Sequence, residues 1–338
     1  MDDLKVSVAM CTFNGEKYIE KQLSSIIHQS RLVDEIIICD DGSSDNTVSI
    51  CTEILNDTKI SSKIIVNEKP LKVVKNFSKC YSLCSGDIIF SSDQDDIWDY
   101  YKVERFLKAF QKYETINLIA SNATIIDEND VSKQLTLKDA VDFQIPQKQT
   151  DWFYLLIKKT CITGSTMAFR KDFFINYMYE SEFWLHDAWL AMMAALNDSL
   201  YYIDDFLIEY RIHAHNACGL GNMNILKTAF RSPFYFEDLY FQNYLAFSEF
   251  KKFVENNQLF SNKHLKDLDK CISFWHERSN LRNLKFIELL KMTKKNKNKG
   301  AYDDYTQGKI YFYLDRYFWL IYKLIPRKKR KKESNNYQ

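Results

Sequence analysis

Apolar residues recur with two different periods along the first third of this 338-residue chain. Lys5 to Met10 (KVSVAM) is a short β-like run that breaks at Asn14-Gly15, and Ile19, Leu23, Ile26 and Ile27 then recur at helical spacing. Glu35 to Cys39 (EIIIC) is apolar without alternation, as expected of a strand covered on both faces. Val48, Cys51, Ile54 and Leu55 predict a second helix, Lys63–Val66 a third strand, Asn76–Cys84 a helix, and Asp87–Phe90 (DIIF) a fourth strand. Val103, Phe106, Leu107 and Phe110 mark the next helix and Asn117–Ala120 the next strand. Strands alternating with helices imply βαβ units and a parallel sheet with right-handed crossovers.

In such sheets ligands bind beyond the carboxyl ends of the strands. Three polar clusters fall there: Thr12–Asn14, Asp40–Asp45 and Asp93–Asp96. Topology therefore places them in one crevice. After about residue 125 the rhythm loosens. Residues 127–150 read as a polar loop, Thr163–Phe169 as strand-like, His186–Ala195 as a helix and Leu207–His213 as a strand. From Ile225 onward the pattern is of helices rich in Phe, Tyr and Leu. The expected division is an α/β domain over 1–225 and a helical, aromatic-rich region over 226–338.

Composition narrows the class. A net charge of +1 argues against a nucleic-acid partner. The eight cysteines form no CxxC pair, so they read as small buried hydrophobes in a reducing compartment. No stretch offers the roughly 18 uninterrupted apolar residues of a membrane span. These features give the expectation of a cytoplasmic protein without a cleavable leader.

The acidic run Asp93-Gln94-Asp95-Asp96 concentrates three carboxylates at a strand end. A hard divalent cation relieves that repulsion and commonly borrows ligands from substrate phosphates. A solvated acidic turn is the plain alternative. Asp40-Asp41-Gly42-Ser43 can offer a carboxylate to a base or ribose, or serve only as turn and cap. Asp187 precedes a helical segment, where a lone Asp is often an N-cap. Arg211, His213 and His215 alternate and share one face if the strand persists.

Together these residues resemble a known family. VSVAMCTFNGEKYIEKQLSSI, DEIIICDDGSSDNT and GDIIFSSDQDDIWDYYKV are similar to the nucleotide-sugar-binding half of family 2 glycosyltransferases, which have the GT-A fold. ITGSTMAFR, HDAWLAMMAA and YRIHAHN resemble the rhamnosyltransferase-like branch that builds bacterial surface polysaccharides such as O-antigens and capsules. The resemblance covers roughly residues 5–220. It implies an α/β fold of GT-A type followed by a helical region, and inverting transfer from a nucleotide-diphosphate sugar to a glycan or lipid-linked acceptor. By position it implies that Thr12, Asn14 and Glu16 border the nucleotide and Asp41 holds the base. Asp93 and Asp95 would form the DxD element, with Asp93 by the ribose and phosphates and Asp95 on Mn2+ or Mg2+. His213 would complete the metal coordination, Asp187 would be the base, and Gly164–Met167 would line the acceptor side. A rhamnosyl donor is implied by the resemblance only; galactosyl and glucosyl donors stay open. His215 departs from the Asn or Gly expected there and receives no role.

Gly308–Lys332 (GKIYFYLDRYFWLIYKLIPRKKRKK) is aromatic and aliphatic, then strongly basic. It suits the inner surface of an anionic membrane, or a packed helix with a basic tail. The region could also dock a partner, and self-association is left open. Two other functions compete. A sugar nucleotidyltransferase needs a glycine-rich phosphate loop after the first strand, and only Gly15 is found there. A catalytically silent sugar-nucleotide-binding protein would have no use for Asp95 and Asp187.

Overall fold

The structure is a computed structural model that describes residues 4–214, 233–257, 262–306, 308 and 310–324. The chain divides into two compact units, Met1–Trp152 with Cys161–Gly221, and Phe153–Thr160 with Asn222–Gln338. The boundary expected near residue 225 lies outside the described residues, and Phe153–Thr160 groups with the second unit.

The first unit is built on a nine-stranded sheet. β1 (Val6–Thr12), β2 (Glu35–Asp40), β3 (Ser61–Val66) and β4 (Ile88–Ser92) run parallel in the order β3-β2-β1-β4. Val6, Val8 and Met10 of β1 share one core with Ile36 and Ile38 of β2 and with Ile88 and Phe90 of β4. Two helices cover that face. α1 (Ile19–Ile27) contributes Ile19, Leu23 and Ile26, and α4 (Lys102–Lys112) contributes Val103, Phe106, Leu107 and Phe110. The expected apolar spacings are thus the buried stripes. α2 (Thr47–Asn56) adds Cys51 and Leu55. The opposite face is covered by α3 (Lys72–Leu83), whose Cys80 thiol lies against the backbone carbonyls of Met10 and Ile37. Apolar burial on both faces is why these strands lack alternation. The described cysteines are free thiols, all buried except the half-buried Cys11.

The sheet is mixed beyond β4. β5 (Ile97–Trp98), β6 (Leu118–Ile126), β7 (Ser132–Thr136), β8 (Met167–Arg170) and β9 (Leu200–Arg211) complete it. The order continues β4-β8-β6-β9-β5, with β7 on β6. β8 pairs antiparallel with both β4 and β6, whereas β6 and β9 are parallel. The sheet is mainly parallel, as expected, and β8, β5 and β7 are the strands that run against the others. The segment read as a loop over 127–150 contains β7 and the short α5 (Leu137–Val141), capped by the Thr136 hydroxyl on the Asp139 N–H. Gly164–Thr166 forms a 3-10 turn before β8. α6 (Asp151–Lys158), α7 (Lys171–Tyr177) and α8 (His186–Leu196) complete the elements that begin in this unit.

The second unit contains α9 (Pro233–Asn256), α10 (Asn262–Ser279), α11 (Phe286–Asn298), α12 (Ala301–Tyr305) and α13 (Ile310–Leu324). Its helices pack around a fully buried ion pair. Arg278 Nε and Nη2 donate to Asp315 Oδ1 at 3.0 and 2.8 Å, and the Tyr302 hydroxyl donates to Asp315 Oδ2 at 2.7 Å. The guanidinium also lies 3.7 Å from the Tyr240 ring centroid. A charge removed from water needs such partners. Among the described residues, no helix is long and apolar enough to cross a membrane.

Candidate active site

Parallel pairing puts Thr12 opposite Asp40 and Met10 opposite Ser92, so the loops after β1, β2 and β4 leave the sheet at one end. Side chains sew these loops together. The Gln94 carboxamide accepts from the Phe13 N–H at 2.8 Å and donates to the Phe13 carbonyl at 3.0 Å. Gly15 permits this approach, because a Cβ there would lie 2.3 Å from Gln94 Oε1. The Thr47 hydroxyl accepts from the Gly15 N–H at 2.8 Å. Asp40 is buried and accepts from the Thr12 hydroxyl at 2.7 Å and from the Gly42 and Ser43 N–H groups at 3.0 and 2.7 Å. It holds the loop together.

A cleft of about 360 Å3 opens at this end, a size that ligand sites commonly have. Thr12, Asp41, Asp93, Asp95 and Asp187 all line it, so five positions distant in sequence meet there. Asn14 and Glu16 are not among the lining residues. Asn14 Oδ1 accepts from the Ser44 N–H at 2.9 Å, and Glu16 Oε2 accepts from the Asn46 N–H at 3.0 Å. Both brace the loop after β2. Asp41 is partly engaged: Oδ1 accepts from Asn67 Nδ2 and the Leu71 N–H at 2.9 and 2.6 Å, and Oδ2 accepts from the Lys72 N–H at 2.9 Å. A carboxylate offers about four lone-pair sites, so one remains for a ligand.

The acidic loop is electrostatically loaded. Asp93 is held well above the ordinary carboxylate range by its recessed position, then by the negative charges of Asp95, Asp96 and Asp187. Burial and Asp95 push Asp96 up to about 7, although the Arg211 N–H donates to its Oδ1 at 2.9 Å. One counter-charge is Lys102, buried at the start of α4. Its ammonium donates to the Ser165 carbonyl at 2.8 Å and sits 3.9 Å from the Trp98 ring centroid. Burial lowers Lys102 to about 7, against the pull of Asp96 and Asp93. Arg211, buried against the same loop, and Lys72, which lines the cleft, add further positive charge beside these carboxylates.

His213 Nε2 lies 2.7 Å from Asp95 Oδ2. Tyr18 supports it by stacking at 5.0 Å between ring centroids, with the Arg211 guanidinium 4.6 Å from the same Tyr18 ring. Arg211 Nε also donates to the Asp95 carbonyl at 2.7 Å. Among the described residues, no three His, Cys, Asp or Glu side chains converge as a metal cluster. Asp95 and His213 are nonetheless an oxygen and nitrogen donor pair at the acidic loop. That set fits a divalent cation completed by substrate phosphates and water. His215 lies outside the described residues.

Asp187, which lines the same cleft, stands in the first turn of α8. Its Oδ2 accepts from the Gly164 N–H at 2.9 Å and its Oδ1 from the Ala188 N–H at 2.7 Å. His186 beside it is 5% exposed and stacks on Phe77 with centroids 4.0 Å apart. Neither ring nitrogen has a hydrogen-bond partner among the described residues. Burial lowers its pKa, opposed by the Asp187 charge. Sequence reasoning singles out none of His186, Tyr18, Lys102 or Lys72 as a site side chain. Lys72, at the rim, has a left-handed φ of 63°. Their sequence signal is faint, because each matters through a neighbour that only folding supplies.

The fold and this cleft define a glycosyltransferase, and the chain belongs to glycosyl transferase family 2, whose family model matches residues 7–178. The dTDP-rhamnosyl transferase RfbG of Shigella flexneri is 33% identical over 224 residues, covering 62% of this chain and 73% of that protein. The UDP-Glc:alpha-D-GlcNAc-diphosphoundecaprenol beta-1,3-glucosyltransferase WfgD of Escherichia coli is 28% identical over 217 residues, covering 63% and 79%. Among solved structures, S. aureus TarS 1-349 in complex with UDP aligns with a TM-score of 0.54 at 14% identity, covering 99% of this chain and 92% of that one. This last likeness is one of fold. The GT-A fold with additional C-terminal helices, implied by the sequence motifs, is the observed one.

Proposed function

We propose that the chain is an inverting, cation-dependent glycosyltransferase that moves a hexosyl group from a nucleoside-diphosphate sugar to a hydroxyl of a lipid-linked saccharide in surface-polysaccharide synthesis. The observation that carries this reading is the shared cleft, which Asp41, Asp93, Asp95 and Asp187 all line. The activities for which RfbG and WfgD are named support the donor class, thymidine- and uridine-diphosphate sugars respectively, and that of WfgD supports a diphosphoundecaprenol-linked acceptor. Rhamnosyl and glucosyl donors are both in keeping with these relatives.

In this reading Thr12, Asp41 and the rim ammonium of Lys72 receive the nucleotide, and Asp93 faces the ribose and phosphates. Asn14 and Glu16 act indirectly, by holding the loops in register. Asp95 and His213, with donor phosphate oxygens and water, would hold Mn2+ or Mg2+, which when bound neutralises charge on the leaving diphosphate. Asp187 accepts the proton of the acceptor hydroxyl as that oxygen bonds to the anomeric carbon. The bond from that carbon to the diphosphate breaks on the opposite face, the nucleoside diphosphate leaves, and the configuration inverts. Gly164 fixes the base by donating its N–H to Asp187.

The test measures nucleoside diphosphate released from a panel of thymidine- and uridine-diphosphate sugars with Mn2+ and an undecaprenyl-diphosphate-linked saccharide. Asp187→Asn should reduce turnover by about 10²–10⁴, the usual worth of a general base, while donor binding persists. Turnover near that of the parent chain in this variant would remove the base assignment and with it the mechanism.

A further inference from the structure

The whole-chain charge of +1 conceals an uneven distribution. Between residues 285 and 332 there are fifteen Lys and Arg against four Asp and Glu, whereas the rest of the chain carries 31 against 41. The same stretch holds an outward apolar surface. On α13, Tyr313, Leu320 and Leu324 are 64%, 50% and 69% exposed. Their spacings of seven and four residues place all three on one helix face. Beside them, Phe286 and Ile287 at the start of α11 are 55% and 66% exposed. Trp319 links the two groups: its ring centroid lies 5.5 Å from that of Phe286, and its Nε1 donates to the Leu284 carbonyl at 2.9 Å. Exposed Arg282, Lys285 and Lys323 rim this surface, with the Lys323 ammonium 5.6 Å from the Trp319 ring. Two acids lie nearby: Asp238 interacts with Arg282, and the Glu288 carboxylate is engaged by the Lys285 N–H at 2.6 Å. Past Leu324 the sequence runs through Pro326 into Arg327–Lys332.

We infer that the face formed by Phe286, Ile287, Tyr313, Leu320 and Leu324, with its Lys and Arg rim, docks on an anionic phospholipid surface. The apolar side chains enter the boundary between headgroups and acyl chains, and the basic residues meet the lipid phosphates. Charge complementarity selects this occupant over a second copy of the chain, because two such faces would oppose like charges. A Trp and a Lys at the patch edge match the interfacial preference of amphipathic side chains. Docking requires no donor, acceptor or turnover, so its failure would leave the transfer reading standing.

The test is flotation of the full chain with vesicles of phosphatidylcholine alone or mixed with phosphatidylglycerol. The chain should float only with the mixed vesicles and should be released by high salt, since the charge contribution is screened. Leu320→Asp with Leu324→Asp should lower binding at least about tenfold. Lys328→Gln, Lys329→Gln and Lys331→Gln should each lower it about fivefold. Circular dichroism of both sets should match the parent chain. Equal flotation with neutral vesicles, no flotation, or undiminished binding in the leucine variants would overturn the inference. So would a dimer in sedimentation that the leucine substitutions dissolve while the parent chain ignores vesicles.

Discussion

Gly164→Ala is the most exacting perturbation of the proposed base, because it leaves every ionisable group in place. A Cβ built on Gly164 lies 2.9 Å from His186 Nε2, 3.5 Å from its Cε1 and 3.6 Å from Asp187 Cβ. Restoring ordinary contact at ~3.5 Å needs a retreat of about 0.6 Å. The His186 ring is backed by Phe77, stacked at 4.0 Å, and is nearly without solvent exposure. The strain therefore falls on the start of α8 and on the hydrogen bond from the Gly164 N–H to Asp187. Overpacking of this kind costs about 1–3 kcal/mol of stability. Displacing a catalytic group by about 1 Å can cost about 10² in rate. Turnover should fall about 10- to 100-fold, with donor affinity changed less than about twofold, because the nucleotide side of the cleft is untouched. The assay is nucleoside-diphosphate release at saturating substrates, paired with donor titration by calorimetry. His186→Ala removes the clashing ring, so the two substitutions together should show a coupling above about 1 kcal/mol. Parent-like turnover in Gly164→Ala, or an equal loss in both backgrounds, would refute the steric argument.

Further outcomes follow from the same geometry. Chelation should abolish transfer and added Mn2+ should restore it, and His213→Ala should raise the metal concentration needed by about tenfold or more, read from titrations of activity. Full activity in excess chelator would remove the cation. Asp315→Ala should destabilise the helical unit by about 3–5 kcal/mol in denaturant unfolding, because Arg278 is left buried and unpaired. Replacing both residues by apolar ones of similar volume should recover most of that loss. His186 has a folded pKa below its ordinary 6.5, so the unfolded chain takes up more protons as pH falls through 6.5. Stability contributed by the neutral ring is complete above that value and is lost below it. The parent chain should therefore lose stability relative to His186→Phe between pH 6.5 and lower pH, with parallel curves above about pH 7. A constant difference across that range would show that the ring does not titrate on unfolding.

The central half-sheet was readable because burial on both faces leaves an unmistakable trace: runs such as EIIIC and DIIF have no polar side to alternate with. Since parallel strands end together, the shared location of Thr12, Asp41 and Asp93 followed from topology. Strand direction beyond β4 leaves no such trace, as an apolar run reads the same whether its neighbour runs with it or against it, so the reversal of β8 is not legible in the sequence. β7 (SKQLT) was too polar to register as a strand. Within the site, residue type identified the carboxylates but not their existing commitments. Asp41 is bound by Leu71 and Lys72 N–H groups, and Asn14 and Glu16 by the loop after β2, through contacts that form only when separate loops meet.

The direction of β8 has a consequence for how such an enzyme can change. Because β8 runs against β4, with Phe90 opposite Ala168, the amino end of β8 arrives where the carboxyl ends of β1, β2 and β4 deliver their loops to the cleft. On the proposed reading, donor recognition is encoded in the first hundred residues and further lining of the cleft in a separate stretch from Thr163 to Asp187. Substitutions confined to the later stretch can retune which hydroxyl is glycosylated while the activated-sugar machinery stays intact, so new linkages need not be accompanied by new donors.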